Sequence, residues 1–377
     1  MGHAYTPGLK VSKRTVIKKE RTLPLKGNVL VKAGQRVNAE DIVAKTELPG
    51  NVEIVKVAQR LGVHPEELPH MMVKKVGETV KVDEAMARTA GIFGMFKTEL
   101  KSPVEGNIES ISSVTGQVVI RGAPIPVQVP AYVDGIVTKV YPEEGVEAAT
   151  VASFIQGIFG IGGETWGTLK LGVSSPDAVL TDKEIDASMK GCVVVAGSMV
   201  TLAAIRKAAQ AGVKAIVSGG INDKDLREIL GYDIGVAVTG SEEIGLTLAV
   251  TEGFGRLRMA QRTYDRLKER QGARASVNGA TQIRAGVLRP EIIIPYPEFT
   301  ESDLKSTAEV AESGILEVGT PLRIIREPYF GQIGHVTALP VELTQIPTES
   351  KVRVLEVELE GGRRVTLPRA NVEIFLG

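Results

Sequence analysis

The sequence predicts a multidomain α+β protein in three structured parts: an all-β amino-terminal region built on a duplicated unit, a central α/β domain on a parallel sheet, and a small carboxy-terminal β-barrel. Three observations carry this prediction. A strand-and-turn unit occurs twice in the first third. From Gly191, apolar β-rich runs alternate with amphipathic helical stretches. After a proline-marked connector at 290–299, short glycine-punctuated strands return. The length of 377 residues agrees, since domains run to roughly 100 to 200 residues. The expected boundaries are a basic arm at 1–21, the β region at 22–172, the α/β domain at 173–295, a linker at 296–313 and the barrel at 314–377.

Charge and composition narrow the function classes. Lys plus Arg equals Asp plus Glu at 45 each, which leaves no global field to draw in nucleic acid or anionic membrane. The single cysteine, Cys192, excludes an intramolecular disulfide framework and fits a reducing compartment. The amino-terminal stretch has no apolar core of the secretory kind, and no run approaches the roughly 20 apolar residues of a spanning helix. A cytoplasmic protein without membrane insertion is expected. Lys10, Lys13, Arg14, Lys18, Lys19 and Arg21 face Glu20 alone, and this charge run reads as a solvated terminal arm.

In the first third, KAGQRVNAEDIVA (32–44) aligns with KVGETVKVDEAMA (75–87). Gly34 and Gly77 stand where a tight turn needs positive φ, and Val37 and Val80 restart an apolar strand. VEGNIESISSVTGQVVIRG and YVDGIVTKVYPEEGVEA continue the pattern, and a helical insertion with Pro65 near its start interrupts it. The region 22–172 resembles the barrel-sandwich hybrid, a family of biotinyl and lipoyl carriers, membrane-fusion adaptors and RNA polymerase inserts. KTELKSPVEG is similar to the carriers' lysine-bearing hairpin flank. Counted back from Gly106, the carriers' modified position falls on Met95, and Lys97 lies two places on. No cofactor is expected, and in particular no covalent biotin or lipoate at Lys97. The tetrapeptide GIFG occurs at 91–94 and again at 157–160. Phe93 and Phe159 are read as apolar plugs at hairpin ends or, if exposed, as a partner-docking patch.

The central alternation of strand-like and helix-like stretches indicates a mainly parallel sheet covered on both faces. Its strands end in Ala196-Gly197-Ser198, Ser218-Gly219-Gly220, Thr239-Gly240-Ser241, Thr251-Glu252-Gly253 and Asn278-Gly279-Ala280-Thr281. Ligands of parallel sheets bind at a switch point on the carboxyl edge, where hydroxyls and bare N–H groups suit a phosphate or carboxylate. The candidate ligand set is Ser198, Ser218, Gly219, Gly220, Thr239, Gly240, Ser241, Thr251, Glu252, Gly253 and Arg284. Turn formation and helix capping call for the same residue types, and that alternative stays open. Arg284 and Arg289 suit an anion or, preferentially, a carboxylate of a neighbouring domain. Neither a dinucleotide fingerprint nor a P-loop occurs. His3, His64, His70 and His335 lie outside this part, no His/Cys cluster has metal-ligand spacing, and no catalytic residue is assigned.

GTPLRIIREPYFGQIGHVTALP (319–340) resembles the KOW motif of transcription elongation factors and ribosomal proteins, which implies an SH3-like barrel contacting RNA, ribosomal protein or RNA polymerase. Leu322, Ile324 and Val336 are its expected core. Arg323, Arg326, Tyr329, Phe330, Gln332 and His335 are its expected surface and partner contacts. Basic and acidic residues balance here, which weakens RNA binding relative to protein contact. The expected function is a non-enzymatic adaptor near transcription or translation machinery, with a protein partner and an anionic ligand at the α/β edge. An enzyme acting on a phosphorylated or carboxylated small molecule at that edge, and RNA binding through the barrel, are the alternatives.

Overall fold

The computed structural model describes residues 9–89, 98–232, 242, 244–281, 288–306, 316–324, 329, 332–345, 351–359 and 361–374. The chain is mixed α/β and strand-rich, with several sheets.

The duplication is visible bond for bond. In the first copy Gly34 takes φ 80° and in the second Gly77 takes φ 88°, the conformation an L side chain resists. Gln35 N donates to Lys32 O at 3.1 Å, and Glu78 N to Lys75 O at 3.0 Å. The Gln35 and Glu78 side chains reach back to the Lys32 and Lys75 N–H groups at 3.0 and 2.8 Å. Each turn docks on a second segment: Gly34 N donates to Val137 O and Gly77 N to Ile108 O, both at 2.8 Å. Those docking segments, YVDGIV (132–137) and PVEGNI (103–108), are themselves a matching pair. The second copy is nested inside the first. Strands Asn28–Val29, Ile42–Leu48 and Ile125–Pro130 form one sheet, and the stretch between 48 and 125 loops out to build a separate four-stranded sheet and a two-stranded one. Val55, Leu68, Val80, Met86, Ile108, Val118 and Ile120 form the core of that nested unit. Burying such side chains is worth about 1.5–3 kcal/mol each, which gives the unit a core of its own.

The rest of the first two thirds shares one 13-stranded sheet. The expected solvated arm is part of it. Val11–Thr22 is a twelve-residue strand, antiparallel to Gly145–Gln156. Its basic side chains find acids brought in from far along the chain: Lys18 meets Glu147 at 3.7 Å, Lys19 meets Glu291 at 2.6 Å, and Arg21 holds Glu164 through two bonds of 2.8 and 2.7 Å. This basic run is therefore matched in part by acids from other strands, although Lys13, Arg14 and Lys18 stay exposed. The sheet also draws strands from both sides of the expected 172/173 boundary. GIFGIGGETWG supplies its edge strand Phe159–Ile161 and the start of Glu164–Leu171.

Within it, Glu164–Leu171, Cys192–Val195, Ala215–Ile221 and Thr247–Phe254 are parallel neighbours in chain order. Arg274–Asn278 runs antiparallel to Glu164–Leu171. The end at Asn278 therefore leaves by the opposite edge from the other strand ends, because Asn278 pairs with Glu164 at the start of its neighbour. Helix Leu202–Ala211 is capped by Thr201, whose Oγ1 accepts from Ala204 N at 3.2 Å. Helix Asp223–Leu230 is capped by Asn222, whose Oδ1 accepts from Lys224 N at 2.9 Å. Both satisfy orphan amides of the first turn. A further helix begins at Gln261. The preceding residues are drawn over the strand ends by Leu257 N to Ser198 O (3.1 Å) and Met259 N to Pro176 O (3.2 Å).

The carboxy-terminal region is a six-stranded antiparallel half-barrel. Leu322, Ile324 and Val336 are fully buried in its core, as their alternation predicts. The hairpin after Leu359 closes with Leu359 N donating to Arg363 O at 2.8 Å. Helix Glu301–Ser306 occupies part of the expected linker. No helix among the described residues is long and apolar enough to cross a membrane.

Candidate functional site

The carboxyl edge of the parallel strands is closed by the chain itself. Ser198 is 2% exposed and its hydroxyl donates to Asp177 O at 2.7 Å. Ser218 donates to Gly220 O at 2.8 Å, and Thr251 to Ser218 O at 3.3 Å. A Cβ at Gly219 would run into the Leu257 carbonyl, and one at Gly220 into that of Gly255. Gly253 sits opposite Gly220 in the ladder. Of the two uses open to these small residues, packing is the one this geometry serves. The strand order does not reverse among the four parallel strands, so the crevice of a switch point does not form between them. Thr239, Gly240, Ser241 and Arg284 lie outside the described residues.

Glu252 breaks this pattern, and so does Arg323. Arg323 was expected on the barrel surface; it is 1% exposed. Leu322 and Ile324 point into the half-barrel, so Arg323 must use the other face of its strand, and that face is covered by the end of Thr247–Phe254. Its Nη2 pairs with Glu252 Oε2, and its Nη1 donates to Thr251 O at 3.2 Å. Glu252 also accepts from Ala260 N at 3.1 Å. Glu373, 1% exposed, is the cross-strand neighbour of Arg323 and approaches its Nη1 at 3.7 Å. Arg289 Nη2 completes the row on Glu373 Oε2 at 2.7 Å. Arg323, Glu252 and Glu373, all buried, with the half-buried Arg289 beside them, thus join the central sheet to the half-barrel. The carboxylate expected of Arg289 is found here, in the half-barrel. Removing one member of such a cluster leaves an uncompensated buried charge, at a cost of about 3–5 kcal/mol.

The remaining barrel candidates divide. Gln332 and His335 are exposed, and Tyr329 is half-buried against the core with Arg363 stacked over its ring at 5.2 Å. Arg326, Phe330, Phe93, Met95 and Lys97 lie outside the described residues. Phe159 is 7% exposed, paired into the sheet edge and packed on Phe254 with ring centroids 5.2 Å apart. The apolar-plug reading is the one this burial fits.

A buried phenol at Tyr132 escaped the sequence reading. Its OH donates to Glu291 Oε1 at 3.2 Å, with Lys19 and Arg21 over the ring at 5.9 and 5.4 Å. Burial, then the Glu291 and Glu164 carboxylates, push its pKa well above the ordinary tyrosine value. Tyr132 also holds φ 69°, rare for an aromatic residue. The available signal was the repeat, which places Tyr132 where the nested copy has Pro103. Among the described residues no group of three or more His, Cys, Asp and Glu is placed to hold a metal ion. No protein-family model matches the chain, and no curated protein matches it.

Proposed function

We propose that this chain is a non-enzymatic adaptor: a KOW-type SH3-like barrel presented from a rigid α/β base, with an amino-terminal barrel-sandwich hybrid region, working in the cytoplasm beside transcription or translation machinery. The observation that supports it most is the buried Glu252–Arg323–Glu373 cluster. A barrel held by a buried Glu–Arg–Glu cluster keeps one orientation on its base, which is what a scaffold needs when it positions a partner. The partner is a protein in this reading. Arg323 is consumed inside, Arg364 pairs with Glu358 at 2.9 Å, Arg363 stacks on Tyr329, and Arg369 donates to main-chain carbonyls of Val354 and Pro340. These cations each have a partner within the half-barrel or the central sheet, and affinity for phosphate polymers comes from cations free to meet phosphate.

The full chain is required for the test, since an isolated barrel would expose Arg323 and Glu373 to solvent and to spurious ligands. Affinity capture with tagged full-length protein from its host, with proteins, RNA and small molecules identified together, should return a protein partner. That partner should survive nuclease, persist as salt is raised, and be lost with Tyr329→Ala. RNA alone, released steeply with salt at roughly 0.7 log units of affinity per neutralised phosphate, would overturn the reading in favour of RNA binding. Turnover of a co-purified small molecule would overturn it in favour of an enzyme.

A further inference from the structure

A cleft of about 350 Å³ opens between the outer repeat unit and the central sheet. Three guanidinium groups line it, Arg36, Arg270 and Arg274, against one lining carboxylate, Asp134. They arrive on two separate segments of chain, Arg36 on one and Arg270 with Arg274 on the other. Arg36 donates to Phe299 O and stacks over that ring at 5.0 Å. Arg270 donates to Pro295 O at 2.8 Å and lies over Tyr296 at 4.2 Å, with Arg14 also over that ring at 4.9 Å. Arg274 pairs with Glu40 and approaches Asp134 at 3.7 Å. Asp134 is itself held by Ala39 N at 2.8 Å. Stacking fixes the planes of two of the three forks and leaves N–H donors of each unspent. The buried Arg270 Nε makes no hydrogen bond among the described residues.

The repeat supplies an internal control for Arg36. Its counterpart in the nested copy is Thr79, whose hydroxyl bonds to Asn107 Oδ1 at 2.8 Å. That copy keeps the same turn and the same hydrogen bonds without an arginine, so the unit's fold does not require one. The arginine occurs where the copy borders the cleft.

We infer that this cleft binds a small molecule carrying a phosphate monoester. A planar carboxylate is satisfied by one guanidinium fork, whereas guanidinium groups brought to one cleft from two separate segments suit a tetrahedral dianion with three terminal oxygens. The cleft volume falls within the usual range of small-molecule sites, about 300–1,000 Å³. Val37, Ala273 and Pro297 in the wall offer apolar surface to the rest of the molecule.

Calorimetric titration of the full chain with inorganic phosphate, glucose 6-phosphate and AMP, and with succinate as the planar comparison, tests the inference. At least one phosphate probe should bind saturably and more tightly than succinate. Its affinity should fall roughly tenfold or more in Arg36→Thr, a change the nested copy already tolerates, and in Arg270→Lys, which keeps the charge but loses the fork. Lys45→Thr, at a separate polar cleft, should leave it unchanged. If either cleft variant fails to fold, the other gives the answer. The inference is overturned by absence of saturable binding of all three phosphate probes, by succinate binding as tightly, or by full affinity in the folded cleft variants.

Discussion

The outer copy of the repeat and the nested copy share a turn glycine in the same conformation, the same reach-back side-chain bonds and the same docking glycine, yet one adds Arg36–Val37 to the 13-stranded sheet and the other stands on its own small core. Ala39 in the outer copy is fully buried while its counterpart Val82 is 54% exposed. Arg36 lines a cleft while Thr79 satisfies a neighbouring asparagine. The comparison separates two layers of information. Local grammar sets the unit; what covers its outer face sets which residues are left for function. The half-barrel follows the outer copy in this respect, since one face of Pro321–Ile324 makes its own core and the other is claimed by the central sheet.

The largest expected effect tests that claim at the half-barrel. Arg323→Met should destabilise the full chain by about 3–5 kcal/mol in denaturant unfolding, because Glu252 and Glu373 remain buried without their cation. A loss below about 1 kcal/mol would mean that water reaches the cluster.

Next come the paired docking glycines. A Cβ at Gly135 would run into the Ala149 carbonyl, and one at Gly106 into the Arg121 carbonyl, so each alanine costs about 1–3 kcal/mol or more of forced backbone movement. The sites differ in what they take with them. Gly135→Ala should lower the main cooperative transition, whereas Gly106→Ala should loosen hydrogen-exchange protection in 52–121 and leave the central sheet protected. Equal loss of protection in both regions would show that the nested unit does not fold separately.

Tyr132 sharpens the comparison from the outer side, since the nested copy has no phenol there. Its folded pKa is raised, so the folded protein retains a proton that the unfolded chain gives up. Stability should therefore be unaffected by this group below about pH 10 and fall as pH rises beyond it, by up to about 1.4 kcal/mol per pH unit. Tyr132→Phe should flatten that alkaline limb in pH-dependent unfolding. An unchanged limb would assign the loss to other groups.

The smallest effects should be the most alike. Gly34→Ala and Gly77→Ala each place a Cβ at positive φ, at about 1–2 kcal/mol. The two losses should agree within about 0.5 kcal/mol in chemical denaturation, and a larger difference would break the equivalence of the copies.

What was legible in the sequence was local. The turns at Gly34 and Gly77 and the core positions Leu322, Ile324 and Val336 rest on short-range pattern, and the structure has them. Alternation also says that Arg323 and Leu322 take opposite faces, but not what covers the second face. Glu252, which covers it, is 71 residues away. The basic strand Val11–Thr22 was illegible for the same reason: its acids, Glu147, Glu164 and Glu291, come from three distant strands. The strand-end hydroxyls had two compatible uses, and the segments at 173–178 and 255–260 that bond to the edge at Ser198 are not readable from local pattern. The arginine cleft required all of these placements at once.

A double-mutant cycle on Glu252→Gln and Arg323→Met in the full chain, read by denaturant unfolding, is the most direct measure of whether the half-barrel is locked onto its base. The account predicts that the two changes are strongly non-additive, with a coupling of about 2–3 kcal/mol. Additivity within about 0.5 kcal/mol would contradict it, because the barrel would then sit beside the central sheet without being held by it.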